Sequence, residues 1–336
     1  MARGILTAAI LGALSVWAPV QALAQNADAD FFRGRTITYI VSTGAGGGYD
    51  TYGRLIARNM AKYLPETRII VRNVPGAGNI IGANSIYVAR PDGLTFGTFN
   101  TGLLYSQMLE MEGIRFDLSE MSWIGKLADE GRTLVLANNS GFANIEELIV
   151  VEETARLASS GIGAASHIET RMLQEMLGLN VRLITNITGG DTQLSMLRGE
   201  VIGALEAASS NADFVANGNG RYVLAIAGEH SGVPGVPQAR DFVTDPEYLR
   251  LLDLVELIAD VGRPTAGPPG IPPGRIEILR DAYMKAATDP ELLAQAETLN
   301  IPIQPARGDE VATKVSMILD QPTEVIAALR RAAQPE

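Results

Sequence analysis

The chain has 336 residues, 46% hydrophobic and 19% charged. It is too long for one ordinary core and too apolar for disorder, which favours two domains. Its 27 basic and 38 acidic residues leave a net charge of −11, the wrong balance for gripping nucleic acid or an anionic membrane. With no cysteine and only two histidines, His167 and His230, disulfides, thiolate sites, thiol nucleophiles and histidine-rich metal centres are excluded. No metal and no cofactor is expected.

Residues 1–24 read as an export signal. Arg3 gives a positive start, Ile5–Val20 is apolar, and Ala22-Leu23-Ala24 places cleavage before Gln25. The apolar stretch is short for a span of about 20 residues and is interrupted by Gly12, Ser15 and Pro19. The expected product is a soluble periplasmic protein.

Beyond the signal, strands and helices alternate. Thr36–Ser42 is β-branched and aromatic, a first strand. A glycine turn follows, and Asp50 is the expected cap of a helix that Pro65 ends. Arg68–Arg72 is a second strand, Ile80–Ala89 a helix and Leu94–Phe99 a third strand. After Trp123 come a strand at Leu134–Ala137, an acid-studded helix at Ile145–Arg156 and a Gly/Ser turn from Ala158. A helix at His167–Leu177, a strand at Val181–Thr185 and a helix at Thr192–Arg198 continue the alternation. Strands at Gly203–Ala207 and Arg221–Ala227 follow. Gly262–Pro273 carries five prolines and is expected to hold neither interior helix nor strand. Helices at Arg275–Ala287, Glu291–Leu299 and Gly308–Arg331, the last broken by Pro322, complete the chain. This alternation predicts two α/β lobes with crossover helices.

Familiar catalytic motifs are missing. From Gly44 the third position of G-x-G-x-x-G is Tyr49, and from Gly76 it is Ile81; neither a P-loop nor a G-x-S-x-G elbow occurs. Paired acids such as Glu146-Glu147 and Glu152-Glu153 read as a solvated helix face. What the chain does contain is three strand-to-helix turns rich in Gly, Ser, Thr and Asp, at 43–50, 161–167 and 188–192. Such turns present free backbone N–H groups at helix N-termini, where the dipole favours an anion. Local donors of this kind let an acidic protein hold an acid.

Several segments, in order, resemble the extracytoplasmic solute receptors of tripartite tricarboxylate transporters. They are Gly46-Gly47-Gly48-Tyr49-Asp50, Val71-Arg72-Asn73-Val74-Pro75-Gly76-Ala77-Gly78 and Ala89-Arg90-Pro91-Asp92-Gly93-Leu94-Thr95. Further on come Gly161–His167, Gly189–Val201 and Gly262–Gly270. The chain departs at Ser42-Thr43, where the family often has Pro-Phe or Pro-Tyr, and at Asn186-Ile187-Thr188, where it often has Tyr-Lys-Gly. The resemblance implies a periplasmic binding protein of the type II-like α/β class: two α/β lobes with mixed sheets and a ligand cleft between them. Crossovers are expected near Asp129–Thr133 and Leu257–Gly262. The first lobe would then take residues 25–133 and 258–336, and an inserted second lobe residues 134–257. A non-enzymatic receptor for a small mono-, di- or tricarboxylate is implied, monomeric and delivering its ligand to a membrane permease. A periplasmic sensor and a secreted enzyme acting on carboxylates are the alternatives. The expected ligand-binding residues are Thr43, Gly44, Ala45, Gly46, Gly47 and Asp50 in the first turn, with Asp50 ordering the loop. Asn100 and Thr101 follow the third strand; Ala165, Ser166 and His167 form the second turn, and Gly189, Gly190 and Asp191 the third. Arg132 is read as a solvated surface arginine, with a bidentate contact to a second carboxylate as its alternative. Arg54 is read as a structural ion-pair residue.

Overall fold

The computed structural model describes residue 28, residues 30–227 and residues 233–333. The expected export signal and cleavage site lie outside the described residues. β1 (Thr36–Val41) pairs in parallel with β2 (Arg68–Asn73) and β3 (Thr95–Thr98). α1 (Gly48–Met60) buries Tyr49, Tyr52, Leu55, Ile56 and Met60, and a short 3₁₀ turn at Ala61–Tyr63 precedes Pro65. α2 (Ile80–Tyr87) returns the chain to β3, and α3 (Gly102–Met108) follows. The sheet is completed by β4 (Ser122–Lys126), β10 (Pro264–Gly267) and β11 (Ala306–Arg307), in the order β11-β4-β10-β3-β1-β2.

The second sheet has the order β7-β6-β8-β5-β9. Its strands are β5 (Arg132–Ala137), β6 (Ala155–Ala158), β7 (Val181–Ile184), β8 (Gly203–Ala207) and β9 (Gly220–Ala227). β5 is antiparallel to both of its neighbours, whereas β6 runs parallel to β7 and β8. Both lobes are therefore α/β with mixed sheets, as expected.

Two segments differ from the sequence reading. The helix expected at 145–156 is only α4 (Ile145–Ile149), capped by the Asn144 side chain accepting from the Glu147 N–H. Residues 155–158 instead form β6, where Arg156 is exposed and Ala155, Leu157 and Ala158 are buried. Pairing with β7 and β8 overrides the helix-forming composition there. The proline-rich segment does hold an interior strand: β10 lies between β4 and β3. Within it the one proline, Pro264, is the first residue, where a missing N–H is tolerated, and the register shifts between Thr265 and Ala266.

The chain passes from β4 to β5 through residues 127–131. It returns from α8 (Pro246–Ala259) to β10 through residues 260–263. The two crossovers touch: the Glu130 N–H donates to the Ala259 carbonyl at 2.8 Å. Gly262 permits this approach, since a Cβ there would stand 2.6 Å from the Ala128 carbonyl oxygen. α9 (Pro273–Ala287), α10 (Pro290–Thr298) and α11 (Gly308–Leu319) follow, α9 and α11 packing on β4 and α10 on α1. The last helix, α12 (Thr323–Ala333), leaves the first sheet. It packs against α8 and against α5 (Ala165–Leu177), and Arg331 pairs with Glu247. No described helix is long and apolar enough to cross a membrane.

Candidate ligand-binding site

The first wall of the cleft is the turn after β1. The Asp50 carboxylate accepts from the Gly46 N–H at 2.9 Å, from Asn73 Nδ2 at 2.9 Å and from Arg54 Nε at 2.9 Å. Burial works against its charge, but Arg54, the Gly46 N–H and Asn73 outweigh burial and hold the carboxyl below its ordinary range. Asp50 orders the loop, as read from the sequence, by reaching back from inside the first helical turn. The position that caps α1 is Gly47. Arg54 has the structural ion-pair role expected of it.

The second wall comes from the N-termini of α5 and of α6 (Gly190–Leu197). The two walls meet. A Cβ on Gly47 would stand 2.8 Å from Gly189 Cα, and one on Gly44 would stand 2.6 Å from the Thr188 hydroxyl. Asn100 Oδ1 accepts from the Gly102 N–H at 2.8 Å and, across the cleft, from the Ala165 N–H at 3.2 Å. Ser106 Oγ donates to the Gly163 carbonyl at 2.9 Å, a second bond between the lobes. The lobes are closed.

Between them lies a cavity of about 60 Å³, room for a few waters or a very small acid. Of the residues nominated from the sequence, Thr43, Gly46, Gly47, Asn100, Ser166 and Gly189 line it. Gly44, Ala45 and Gly190 lie at the rim, where the two glycine turns touch. Ala165 is covered by Asn100, and Thr101 stands behind the cavity with its hydroxyl on Glu130 at 3.2 Å. Asp191 is exposed. His167 lies in the first turn of α5 with a buried Nδ1 that has no hydrogen-bond partner. Burial, and then the charge of Arg171, lower its pKa.

Charged side chains also line the cavity: Glu130, Arg132 and Glu206. Arg132 is 3% exposed rather than a solvated surface residue, because it opens a strand buried along its whole length. Its Nε and Nη2 each lie 2.6 Å from Glu169 Oε2. Burial opposes the guanidinium charge, but Glu169 and Glu130 outweigh that and secure it. Glu130 accepts from the Tyr49 hydroxyl at 2.5 Å and lies 3.5 Å from Arg263 Nη1 and 3.7 Å from Arg132 Nη1. Arg263 stacks on the rings of Tyr49 and Tyr52, and its Nη2 donates to the hydroxyls of Ser209 and Ser210 at 3.1 Å. Its backbone sits at φ 54°, left-handed for a non-glycine residue. Both crossovers, both lobes and the cavity wall therefore share one buried ionic network. Sequence reading missed Glu130, Ser160, Gln193, Glu206 and Ser210 in the lining. The available signal was Glu130 and Arg132 standing two residues apart at the expected crossover, just before the apolar run Leu134–Ala137.

A larger groove of about 860 Å³ borders the same crossovers, with Asp129, Glu256, Asp260 and Glu297 beside Val215, Tyr222 and Ile301. None of the three glycine-rich turns reaches it, so convergent anion donors belong to the smaller cavity.

The profile of the tripartite tricarboxylate transporter family receptor matches residues 53–301. The chain belongs to that family. Members of this receptor family are periplasmic solute-binding proteins rather than a class of enzyme. Among curated relatives, the chain is 27% identical to a UPF0065 protein of Bordetella pertussis, over 80% of this chain and 81% of that one. It is 23% identical to protein BugT of the same organism, over 71% and 77%. A relative from Agrobacterium vitis is 25% identical over 62% of this chain, which spans 61% of that protein. The fold matches the periplasmic binding protein BugD with a TM-score of 0.74 at 20% identity, over 89% of this chain and 97% of BugD. It also matches MatC of Rhodopseudomonas palustris, solved with bound malate, with a TM-score of 0.71 at 19% identity over 89% and 99%. A further R. palustris protein, solved with adipate, gives 0.71 at 15% identity over 89% and 97%.

Proposed function

We propose that this receptor is exported, closes around a small organic carboxylate and delivers it to a membrane permease of the tripartite tricarboxylate type. The observation that carries the reading is the convergence of three glycine- and serine-rich turns, from both lobes, on one closed cavity. N–H groups at the starts of α1 and α5 stabilise an anion through their partial positive charge. Ser160 and Ser166 add polar groups beside them. In this reading the lobes are residues 25–133 with 258–336 and residues 134–257, except that α12, at the end of the first-lobe segment, packs on the second lobe; the working unit is a monomer, and residues 1–24 are removed on export. The turn residues and Asn100 form the contact set, while Asp50, Thr101 and Ala165 support it. Because the walls belong to different lobes, the contacts are complete only on closure, which couples occupancy to shape.

Thermal unfolding of ligand-stripped protein against mono-, di- and tricarboxylates and amino acids tests the proposal. A micromolar ligand at millimolar concentration adds about 4 kcal/mol, a shift of several degrees. Absence of any shift, repeated by calorimetry, would overturn it.

A further inference from the structure

In the buried network, together with the half-buried Glu206 beside it, the carboxylates outnumber the guanidinium groups. Arg132 and Arg263 face Glu130, Glu169 and Glu206. Glu169 is taken by Arg132, and Glu130 by Arg132, Arg263, Tyr49 and Thr101. Glu206 is left over. Its partners are neutral, Asn211 Nδ2 at 3.0 Å and the Thr192 hydroxyl at 3.4 Å, and among the described residues no cation lies within ion-pair distance. It stands in the cavity wall opposite the glycine turn of the first lobe. Closing this space on a plain carboxylate would add an anion to a site already one negative charge in excess, at a large desolvation cost. A ligand that brings its own cation removes that conflict.

Resting on the reading of the cleft as the ligand site, we infer that the ligand is a small zwitterion, an amino acid whose ammonium group is received by Glu206. Its carboxylate meets the N–H groups at the start of α1 and lies beside the Ser166 hydroxyl at the start of α5, while the ammonium donates to the Glu206 carboxylate from inside the cavity. Glu130 cannot serve instead, because its charge is already met by Arg132 and Arg263. Asp50 cannot, because its carboxylate is turned into its own loop.

The test is calorimetric titration of ligand-stripped protein with acid pairs that differ only in amine against hydroxyl: alanine and lactate, aspartate and malate, β-alanine and 3-hydroxypropionate. The amino member of at least one pair should bind roughly tenfold or more tighter than its hydroxy twin, as a charged hydrogen bond in a closed site requires. Glu206→Gln should erase that preference, weakening the amino acid while the hydroxy acid, relieved of the excess negative charge, binds at least as tightly as it does to the wild type. Hydroxy acids binding as tightly as their amino twins to the wild-type protein would overturn the inference while leaving the receptor reading intact. An unchanged preference in a folded Glu206→Gln variant would do the same. Failure of every member of every pair, where another carboxylate still shifts the unfolding temperature, would overturn the inference alone; failure of all acids would overturn both.

Discussion

Asn100 reaches across the closed cleft, and its Oδ1 accepts from the Ala165 N–H at 3.2 Å at the start of a 13-residue helix. That helix end is where a ligand oxygen would be favoured. In this closed form an amide of the first lobe occupies the donor and fastens the lobes together. Asn100→Ala should remove about 1 kcal/mol of closing free energy. The ligand-free protein should then shift toward an open form, seen as a larger radius of gyration by small-angle X-ray scattering. An unchanged scattering curve would mean that other lobe contacts suffice.

Gly47 and Gly189 touch backbone to backbone, and no side chain fits between them in the closed state. Gly47 has φ −94° and ψ 175°, values open to any residue. Gly47→Ala should therefore leave the first lobe unstrained but hold the lobes apart. Affinity for any acid that binds should fall by about tenfold or more, as interlobe contacts are lost, with little change in the unfolding temperature of the free protein.

Glu130 is the acid shared by the two crossovers. Glu130→Gln would leave the buried Arg263 without an anionic partner, and breaking a buried pair from one side costs about 3–5 kcal/mol. Urea denaturation should show a loss of that order. A loss below about 1 kcal/mol, the range of exposed pairs, would show that water reaches Arg263.

Burial pushes the Glu206 carboxyl above its ordinary range, against the opposing hydrogen bonds of Asn211 and Thr192 and the charge of Arg132. The folded state thus holds this proton more tightly than the unfolded chain does. Its contribution to stability is full below about pH 4.3 and is lost as pH rises through the folded value. Glu206→Gln cannot ionise. The melting temperature of the variant minus that of the wild type, measured without ligand, should grow as pH rises from about 4 to neutrality; a difference independent of pH would contradict this.

The first-lobe units were legible because their signals are local. Thr36–Val41 is β-branched, the glycines at 44–48 break the chain, and Tyr52, Leu55, Ile56 and Met60 repeat at helical spacing. β6 and β10 were not, because partners distant in sequence decide both. Ala155–Ala158 reads as helix until β7 and β8 flank it, and Thr265-Ala266 is hidden by prolines that the strand excludes except at its first residue. The site divides in the same way. Turns that offer backbone N–H groups announce themselves by glycine. Glu130, Arg132, Glu169, Glu206 and Arg263 come from separate segments, and each alone resembles the surface charge found on any helix or loop. Only the fold brings them within reach of one another.

The path of α12 has a practical consequence. Asp28 near the N-terminal end is tied to the first lobe by Arg275, whereas α12 rides on the second lobe through α5 and α8. The two ends of the described chain are thus carried by different lobes. Fluorophores placed at the exposed positions 30 and 330 would sit on opposite lobes, and if the lobes close as proposed, energy transfer between them would follow that closure in real time without a label in the cleft.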